Sequence, residues 1–460
     1  MKCINLNRRI EVPTVLLFFA YMSANSVSTN LVIYRTCYVT LGYNETQCEL
    51  LGKNYTDNVT ATLEKEVQPY ATILFISQSI IAAIIPPILC LFLGPWTDKY
   101  GRRPLLLFSI GGCILSFMIV TIISAIPNAS PWYFLLFLIP MCLSGGIPAL
   151  LTAMICYITD VTSEEYRGIR IGIFEGMIAL GTILGTSSSS FVLNAWGYVA
   201  LYSISTACLI LAWIYTFFLI PESVSNVESE GRFKNLFNYT LVKESFRTIF
   251  RPRENNHRAL LLTLIAVMIV SVFASFGDNS VIFLYLRQQF FWTLERYTLY
   301  SSINNVTGVI GAIGGIVILY KMLHMKEAVV TFLGFISILI GSLLQGLATS
   351  SWVIYLAAAS KCLGTATSPL TRSLLSKLIP VQDSGKIFAV VTSIETISAL
   401  LGTAMYTYIY NGTLNSFPAT FSFVSVGFYV FEVAAVSVII IIQRKQAQYD
   451  IMNEECESDA

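Results

Sequence analysis

The stretch GPWTDKYGRRPL, residues 94–105, carries four charged side chains between two long uncharged segments. Residues 67–97 and residues 104–159 contain no charged side chain over 31 and 56 positions. The four charges are Asp98, Lys99, Arg102 and Arg103. Apolar runs of this length are typical of membrane-spanning helices, and basic side chains collect in the cytoplasmic loops between them. The stretch therefore predicts a short cytoplasmic loop that joins two transmembrane helices.

Composition extends this prediction to the whole chain. The 460 residues are 55% hydrophobic and 12% charged, whereas soluble domains carry about 25% charged residues. The mean hydropathy is +0.68. The sequence has no basic stripe for nucleic acid, no Cys or His spacing for a metal, no phosphate-binding loop and no catalytic His–carboxylate group. We expect an all-α membrane protein that is not an enzyme and has no cofactor.

The long uncharged runs must be divided, because about 20 helical residues cross a bilayer core. Pro, Asn and Gly mark the turns between the helices. Twelve spans are predicted, at residues 12–34, 70–95, 104–126, 132–158, 169–193, 198–220, 258–286, 297–320, 328–347, 352–378, 387–410 and 418–442.

The distribution of Lys and Arg orients these spans. The N-terminal segment, the loops on its side and the tail hold 21 of the 28 basic residues. The loops on the opposite side hold Arg35, Lys53, Lys65, Arg287 and Arg296. Both termini are therefore predicted to lie in the cytoplasm.

The longest cytoplasmic loop divides the chain into two bundles of six helices. The predicted parts are residues 1–221 with an outer loop at 35–69, a linker at 222–257, residues 258–442 and a tail at 443–460. Gly168 and Gly185 flank the fifth span, and Gly385 and Gly402 flank the eleventh, each pair offset by 217 residues. Repeated halves around a central site are a common plan of transporters.

The outer loop has features of an extracytoplasmic segment. Asn44, Asn54 and Asn58 each begin an N-x-S/T triplet, so they are predicted glycosylation sites. Cys37 and Cys48 lie in the same loop and can pair in an oxidising compartment. Two free thiols are the alternative.

The opening stretch resembles a known family. Its residues match the G-x-x-x-D-(K/R)-x-G-R-(K/R) signature of the major facilitator superfamily at Gly94, Asp98, Lys99, Gly101, Arg102 and Arg103. The resemblance implies the major facilitator fold. It also implies a cytoplasmic gate, in which the charged cluster holds the two halves together in the outward-open state. The alternative is a simple basic anchor at the membrane surface, which leaves Asp98 and the two glycines unexplained.

A narrower resemblance runs through residues 12–440. The segments that carry it are 41–46, 98–107, 158–161, 174–176, 276–277 and 368–378. They look like the proton-coupled folate transporter branch, which includes the thymic stromal cotransporter and a lysosomal relative. This resemblance implies proton coupling by Glu175, a place for Arg372 near the substrate and proton path, and a structural role for Asp160. A hydrogen bond to a neighbouring helix is the alternative for Glu175, and snorkelling to the membrane surface is the alternative for Arg372.

Further ionisable groups lie inside the predicted spans, where charge is costly unless it is paired or hydrated. The family histidine is replaced here by Ser275, and Asp278 is a candidate to titrate in its place. Lys361 and Glu395 could pair with each other across adjacent helices, or Lys361 could attract an anionic substrate. The sequence leaves this choice open.

The function predicted from these features is secondary active transport by alternating access, as proton-coupled symport of a small organic anion such as a folate-like solute. Its partners are then the substrate, protons and membrane lipid, without nucleic acid; the sequence sets no oligomeric state. Alternatives are a carrier of an unrelated solute without proton coupling and a non-transporting receptor or scaffold. We expect the plasma membrane, with endosomes or lysosomes as the alternative because Tyr449–Met452 fits a sorting signal.

Overall fold

The computed structural model describes residues 10–49, 51, 58–224, 227–228, 231, 236–252, 256–292, 294–414 and 416–458. Within these ranges the regular structure is entirely helical. The predicted glycosylation site Asn54 lies outside them, and for Asn58 only the helical backbone is described.

The α-helices, numbered along the chain, follow the apolar segments of the sequence. They are α1 (Glu11–Arg35), α2 (Glu45–Cys48), α3 (Asn58–Tyr100), α4 (Arg102–Ala125), α5 (Leu138–Leu143), α6 (Gly146–Val161), α7 (Arg167–Leu219), α8 (Tyr239–Phe250), α9 (His257–Phe290), α10 (Leu294–Ile313), α11 (Glu327–Gly346), α12 (Ser351–Ser360), α13 (Thr367–Leu378), α14 (Ser384–Thr413) and α15 (Thr420–Ser458). Wider π-helical turns continue α1 over Thr36–Thr40 and α10 over Gly314–Met322.

Ten helical stretches of the described residues are long and apolar enough to span a membrane. Two local features account for the difference from the twelve predicted spans. Glu164–Leu219 counts once over 56 residues, although Gly197 interrupts it with a φ of +76°. The 3₁₀ turn Cys362–Ala366 divides α12 from α13, so neither helix reaches spanning length alone. The number of crossings and the cytoplasmic termini stay predictions.

The chain divides into two compact units, and the division differs in detail from the predicted domain boundaries. Unit 1 contains residues 1–161 and 174–239, and unit 2 contains residues 162–173 and 240–460. The segment 162–173, which leads into and begins α7, therefore belongs to the second unit. The predicted linker and tail boundaries stay predictions.

In unit 1, α6 packs against α3 and α4, and α7 lies against α1. A Cβ at Gly185 would come within 2.5 Å of the carbonyl oxygen of Phe19 on α1, and Gly181 makes a similar approach to Val15. Small residues allow this approach because they place two backbones in contact.

In unit 2, α9 packs against α14 and α15, and α15 also packs against α11. A Cβ at Gly402 on α14 would collide with the carbonyl oxygen of Phe273 on α9. Gly402 is the repeat partner of Gly185, so both members of this predicted pair hold a helix against the first long helix of their unit. The internal repeat is thus visible in the packing.

Candidate functional site

The charged turn between α3 and α4 is buried, which is unusual for a loop with this much charge. Arg102 donates from Nη2 to Asp98 at 2.7 Å and from Nε to Asp160, near the end of α6, at 3.1 Å. The Arg102 side chain is 1% exposed, and the two carboxylates are 4% exposed. Because removing one member would leave buried charge uncompensated, the three side chains form one interdependent cluster. Asp160, predicted as a structural residue, lies inside it.

Glu222 completes this cluster, and the sequence analysis did not identify it. Its carboxylate accepts from the backbone N–H of Arg102 at 2.8 Å and of Arg103 at 3.1 Å. These are the first N–H groups of α4, and an anion there satisfies them and complements the helix dipole. Gly101 adopts a φ of +99°, and a Cβ at this position would collide with the Glu222 carboxylate. The signature glycine therefore provides both the turn and the space for this cap.

The other signature residues make backbone contacts. The carbonyl of Gly94 accepts from the Thr97 hydroxyl at 2.6 Å, and the carbonyl of Lys99 accepts from the N–H of Glu228 at 3.0 Å. The Arg103 guanidinium lies over the Phe217 ring at 5.3 Å from its centroid. The six signature residues are thus held in one turn whose contacts lie within unit 1.

A second polar cluster lies in unit 2, around Asp278. The Lys361 ammonium is 3.4 Å from Asp278 Oδ2 and donates to Gln345 Oε1 at 2.7 Å. Gln345 Nε2 donates to Asp278 Oδ1 at 3.2 Å, and the Ser425 hydroxyl donates to the same oxygen at 3.3 Å. Four helical segments therefore meet at one carboxylate. Gln345 and Ser425 were not predicted, because their side chains give no signal until the helices are packed.

Arg372 on α13 and Glu395 on α14 form a separate buried pair. Arg372 Nη2 lies 3.1 Å from Glu395 Oε2 and 3.3 Å from Oε1. The two side chains are 13% and 9% exposed. The pair between Lys361 and Glu395 that the sequence left open is not formed; each of these residues has a different partner.

A third cluster occupies the start of α11. Glu327 accepts from Lys377 at 2.9 Å and from the Ser373 hydroxyl at 2.9 Å, and its side chain is 3% exposed. Gly168, in the segment 162–173, lies so close that a Cβ would come within 2.6 Å of Glu327 Oε1. Beside it, Arg167 donates to the Ser376 carbonyl at 3.0 Å. Glu327 carried no prediction, because it follows a charged loop and looks like an anchor.

Two predicted path residues lie apart from these clusters. Glu175 is half-buried on the part of α7 that belongs to unit 1. Ser275 is half-buried on α9, one turn before Asn279, whose amide donates to its carbonyl at 2.9 Å. Their roles stay predictions.

The outer loop is fixed to unit 1 by covalent and polar contacts. Cys37 and Cys48 form a disulfide, and Asn44 is exposed at the start of α2. The Tyr43 hydroxyl donates to Glu66, and this hydrogen bond raises the pKa of Tyr43. Arg35 is buried and donates to the carbonyls of Ile123, Ser124 and Ile126, which caps the end of α4.

This combination of a signature turn, paired halves and buried intramembrane charges can be compared with known proteins. The family model described as Major Facilitator Superfamily matches residues 14–403. The chain belongs to the major facilitator superfamily. It is a multi-pass integral membrane transporter and not an enzyme, as predicted from its sequence.

Curated superfamily members place the chain in the predicted branch. The probable peptidoglycan muropeptide transporter SLC46 of Drosophila melanogaster is 30% identical over 423 residues, covering 90% of this chain and 82% of the relative. The proton-coupled folate transporter of Rattus norvegicus is 24% identical, covering 88% and 86%. The lysosomal proton-coupled steroid conjugate and bile acid symporter SLC46A3 of Mus musculus is 25% identical, covering 96% and 97%. The predicted resemblance is confirmed.

Solved structures support the superfamily fold. The human organic anion transporter MFSD10 has a TM-score of 0.69 at 13% identity and covers 93% of this chain and 97% of its own. The transporter FucP in the outward conformation has a TM-score of 0.64 at 14% identity, covering 93% and 98%. At these identities the likeness concerns the fold alone.

Proposed function

We propose that this chain is a proton-coupled symporter that moves a small organic anion, such as a folate-like solute, by alternating access. The observation that carries the proposal is the buried pair of Arg372 and Glu395 inside predicted spans. Charges at such depth are expensive and mark substrate or proton pathways. The names of the three curated relatives refer to folate, bile acids and muropeptides, whose molecules carry anionic groups.

The pair suggests how proton and anion binding are coupled. While Glu395 is ionised it occupies the Arg372 guanidinium, which is a planar donor well suited to a carboxylate. When Glu395 takes up a proton, Arg372 becomes available to an anionic substrate. Each ligand then favours binding of the other, and this reciprocity is the thermodynamic requirement for symport. Asp278 with Lys361 is a second pair of the same kind, and Glu175 is a further proposed proton carrier.

The signature cluster has a different proposed role. We assign the turn around Arg102 to the cytoplasmic gate, following the superfamily resemblance, with Asp160 and Glu222 as its supports. A carrier needs two conformations whose equilibrium the substrate shifts. For the membrane of residence we propose the plasma membrane, with endosomes or lysosomes as the alternative.

Uptake by the purified chain in proteoliposomes tests the proposal. Radiolabelled folate, a bile acid conjugate and a muropeptide are supplied with the outside buffer acidic or neutral, and with or without sodium. We expect the proton gradient to accelerate uptake of at least one anion. Stimulation by sodium alone would favour an uncoupled or sodium-driven carrier. Flux equal to that of empty liposomes for every anion would favour a receptor or scaffold.

Two variants test the residue assignment. Glu395→Gln mimics the protonated carboxyl permanently, so it should abolish the response to the proton gradient while anion exchange at equal pH persists. Glu175→Gln should weaken the pH dependence and leave surface expression intact. Glu49→Gln, on an exposed outer side chain, is the control and should behave like the parent. Unchanged gradient dependence in Glu395→Gln would remove this residue from the coupling role.

A further inference from the structure

Unit 2 contains a cleft of about 670 Å³ that the transport proposal does not use. Helix α8 forms one side of it, and the start of α14 with the preceding turn forms the other. The lining side chains include Glu244, Arg247, Phe250, Arg251, Asp383 and Lys386. The volume is within the range of about 300–1,000 Å³ that is usual for small-ligand sites. The cleft is therefore large enough for a phosphorylated headgroup.

The charges of the cleft leave two arginines available. Lys386 is already held by Asp383 at 2.9 Å and by Glu244 at 3.9 Å. Arg247 and Arg251 are exposed and have no ion-pair partner among the residues that the structure describes. They are one helical turn apart, so their guanidinium groups project to the same side. A planar guanidinium binds phosphate oxygens in a bidentate manner.

The remaining faces of α8 are those of a helix at a membrane surface. Leu241, Val242 and Ile249 are buried against unit 2. Phe246 and Phe250, also one turn apart, are 40% and 55% exposed. At the helical rotation of about 100° per residue, these two rings lie between the buried face and the basic side. Interfacial helices place aromatic rings toward the acyl boundary and basic groups toward the headgroups in this order.

We propose that the cleft between α8 and the start of α14 binds an anionic phospholipid of the cytoplasmic leaflet. The phosphate groups of the headgroup contact Arg247 and Arg251, and the acyl chains lie along Phe246 and Phe250. The site uses the predicted cytoplasmic location of residues 222–257, where anionic lipid is concentrated. It is independent of the transported substrate, because none of the cleft residues belongs to the buried pairs described above.

Binding of short-chain lipids to the purified full chain in detergent tests this site. The probes are dioctanoyl phosphatidylinositol 4-phosphate, dioctanoyl phosphatidylcholine, and soluble inositol 1,4-bisphosphate. We expect the anionic lipid to bind and the zwitterionic lipid not to bind at the same concentrations. The soluble headgroup should bind more weakly than the lipid, since it lacks the acyl contact. Equal or tighter binding of the soluble headgroup would overturn the lipid assignment in favour of a soluble phosphate ligand.

The variant R247Q/R251Q should weaken binding of the anionic lipid roughly 30-fold, since each basic group near an anionic surface contributes about a factor of five. R258Q/K445Q removes the same charge from exposed positions of unit 2 outside the cleft, and it should change the affinity by less than about twofold. R247K/R251K keeps the charge and checks folding, and it should retain most of the affinity. Equal weakening by R247Q/R251Q and R258Q/K445Q would overturn the site, because only net charge would then matter.

Discussion

At the scale of single residues, the buried charges are explained by their partners. Lys361 has an aliphatic stem and one ammonium group, which reaches both Asp278 and Gln345. Such a pair stabilises little relative to an apolar replacement of both members, but removing one member leaves a desolvated charge. The asymmetry between single and double substitutions therefore distinguishes a true pair from two residues that are merely adjacent.

We predict that Lys361→Met lowers the unfolding free energy by roughly 2–3 kcal/mol, because the Asp278 carboxylate stays buried without its cation. Asp278→Asn in the same chain should restore part of this loss. Thermal unfolding of the purified variants in detergent measures both effects as shifts of Tm. Lys321→Met is the control, since Lys321 is exposed. If Lys361→Met proved as mild as the control, the pair would not contribute to stability.

At the scale of helices, the sequence predicts most of the fold and little of the side-chain pairing. Hydropathy places all the long helices, because burial in lipid demands uninterrupted apolar runs. It misses the 3₁₀ turn between α12 and α13, where the residues Cys362–Ala366 carry no turn signal. It also misses the partners of Lys361 and Glu395, because pairing depends on which helices are neighbours and on their rotation.

Glycine positions show how far the repeat can be read from sequence. The offset of 217 residues links Gly185 and Gly402, but an offset along the chain does not tell what either glycine contacts. The packing of the helices adds that each allows a helix to meet a neighbouring backbone. Gly176, on the same helix as Gly185, has nothing within 4 Å of an added Cβ. The chain thus contains its own control.

We predict that Gly402→Ala and Gly185→Ala each destabilise the protein by roughly 1–3 kcal/mol, because the new methyl group must displace a backbone carbonyl. Gly176→Ala should be neutral, or stabilising by up to about 1 kcal/mol, since Ala favours the helix more than Gly. Fluorescence-detected size exclusion after a heating series ranks the three variants. A loss in Gly176→Ala as large as in the other two would show that helix flexibility, and not close packing, is what these glycines provide.

At the scale of the whole molecule, the two units contain the same ionic contact with the charges exchanged. In unit 1 the first residue of α4, Arg102, meets Asp160, the penultimate residue of α6. In unit 2 the first residue of α11, Glu327, meets Lys377, the penultimate residue of α13. Asp160 and Lys377 are 217 residues apart, the same offset as the glycine pairs. The repeat therefore preserves the contact but not the sign of its charges.

This inversion predicts that the pair of unit 2 tolerates exchange as a pair but not singly. Glu327→Arg should place a second cation beside Lys377, and Lys377→Asp should place an anion beside Glu327, so each should reduce Tm and uptake. E327R/K377D recreates the sign found in unit 1 and should recover part of both losses. The recovery should be incomplete, because Glu327 also accepts from Ser373 and lies against Gly168. A double variant no better than the worse single variant would show that shape at Gly168, and not charge, determines this contact.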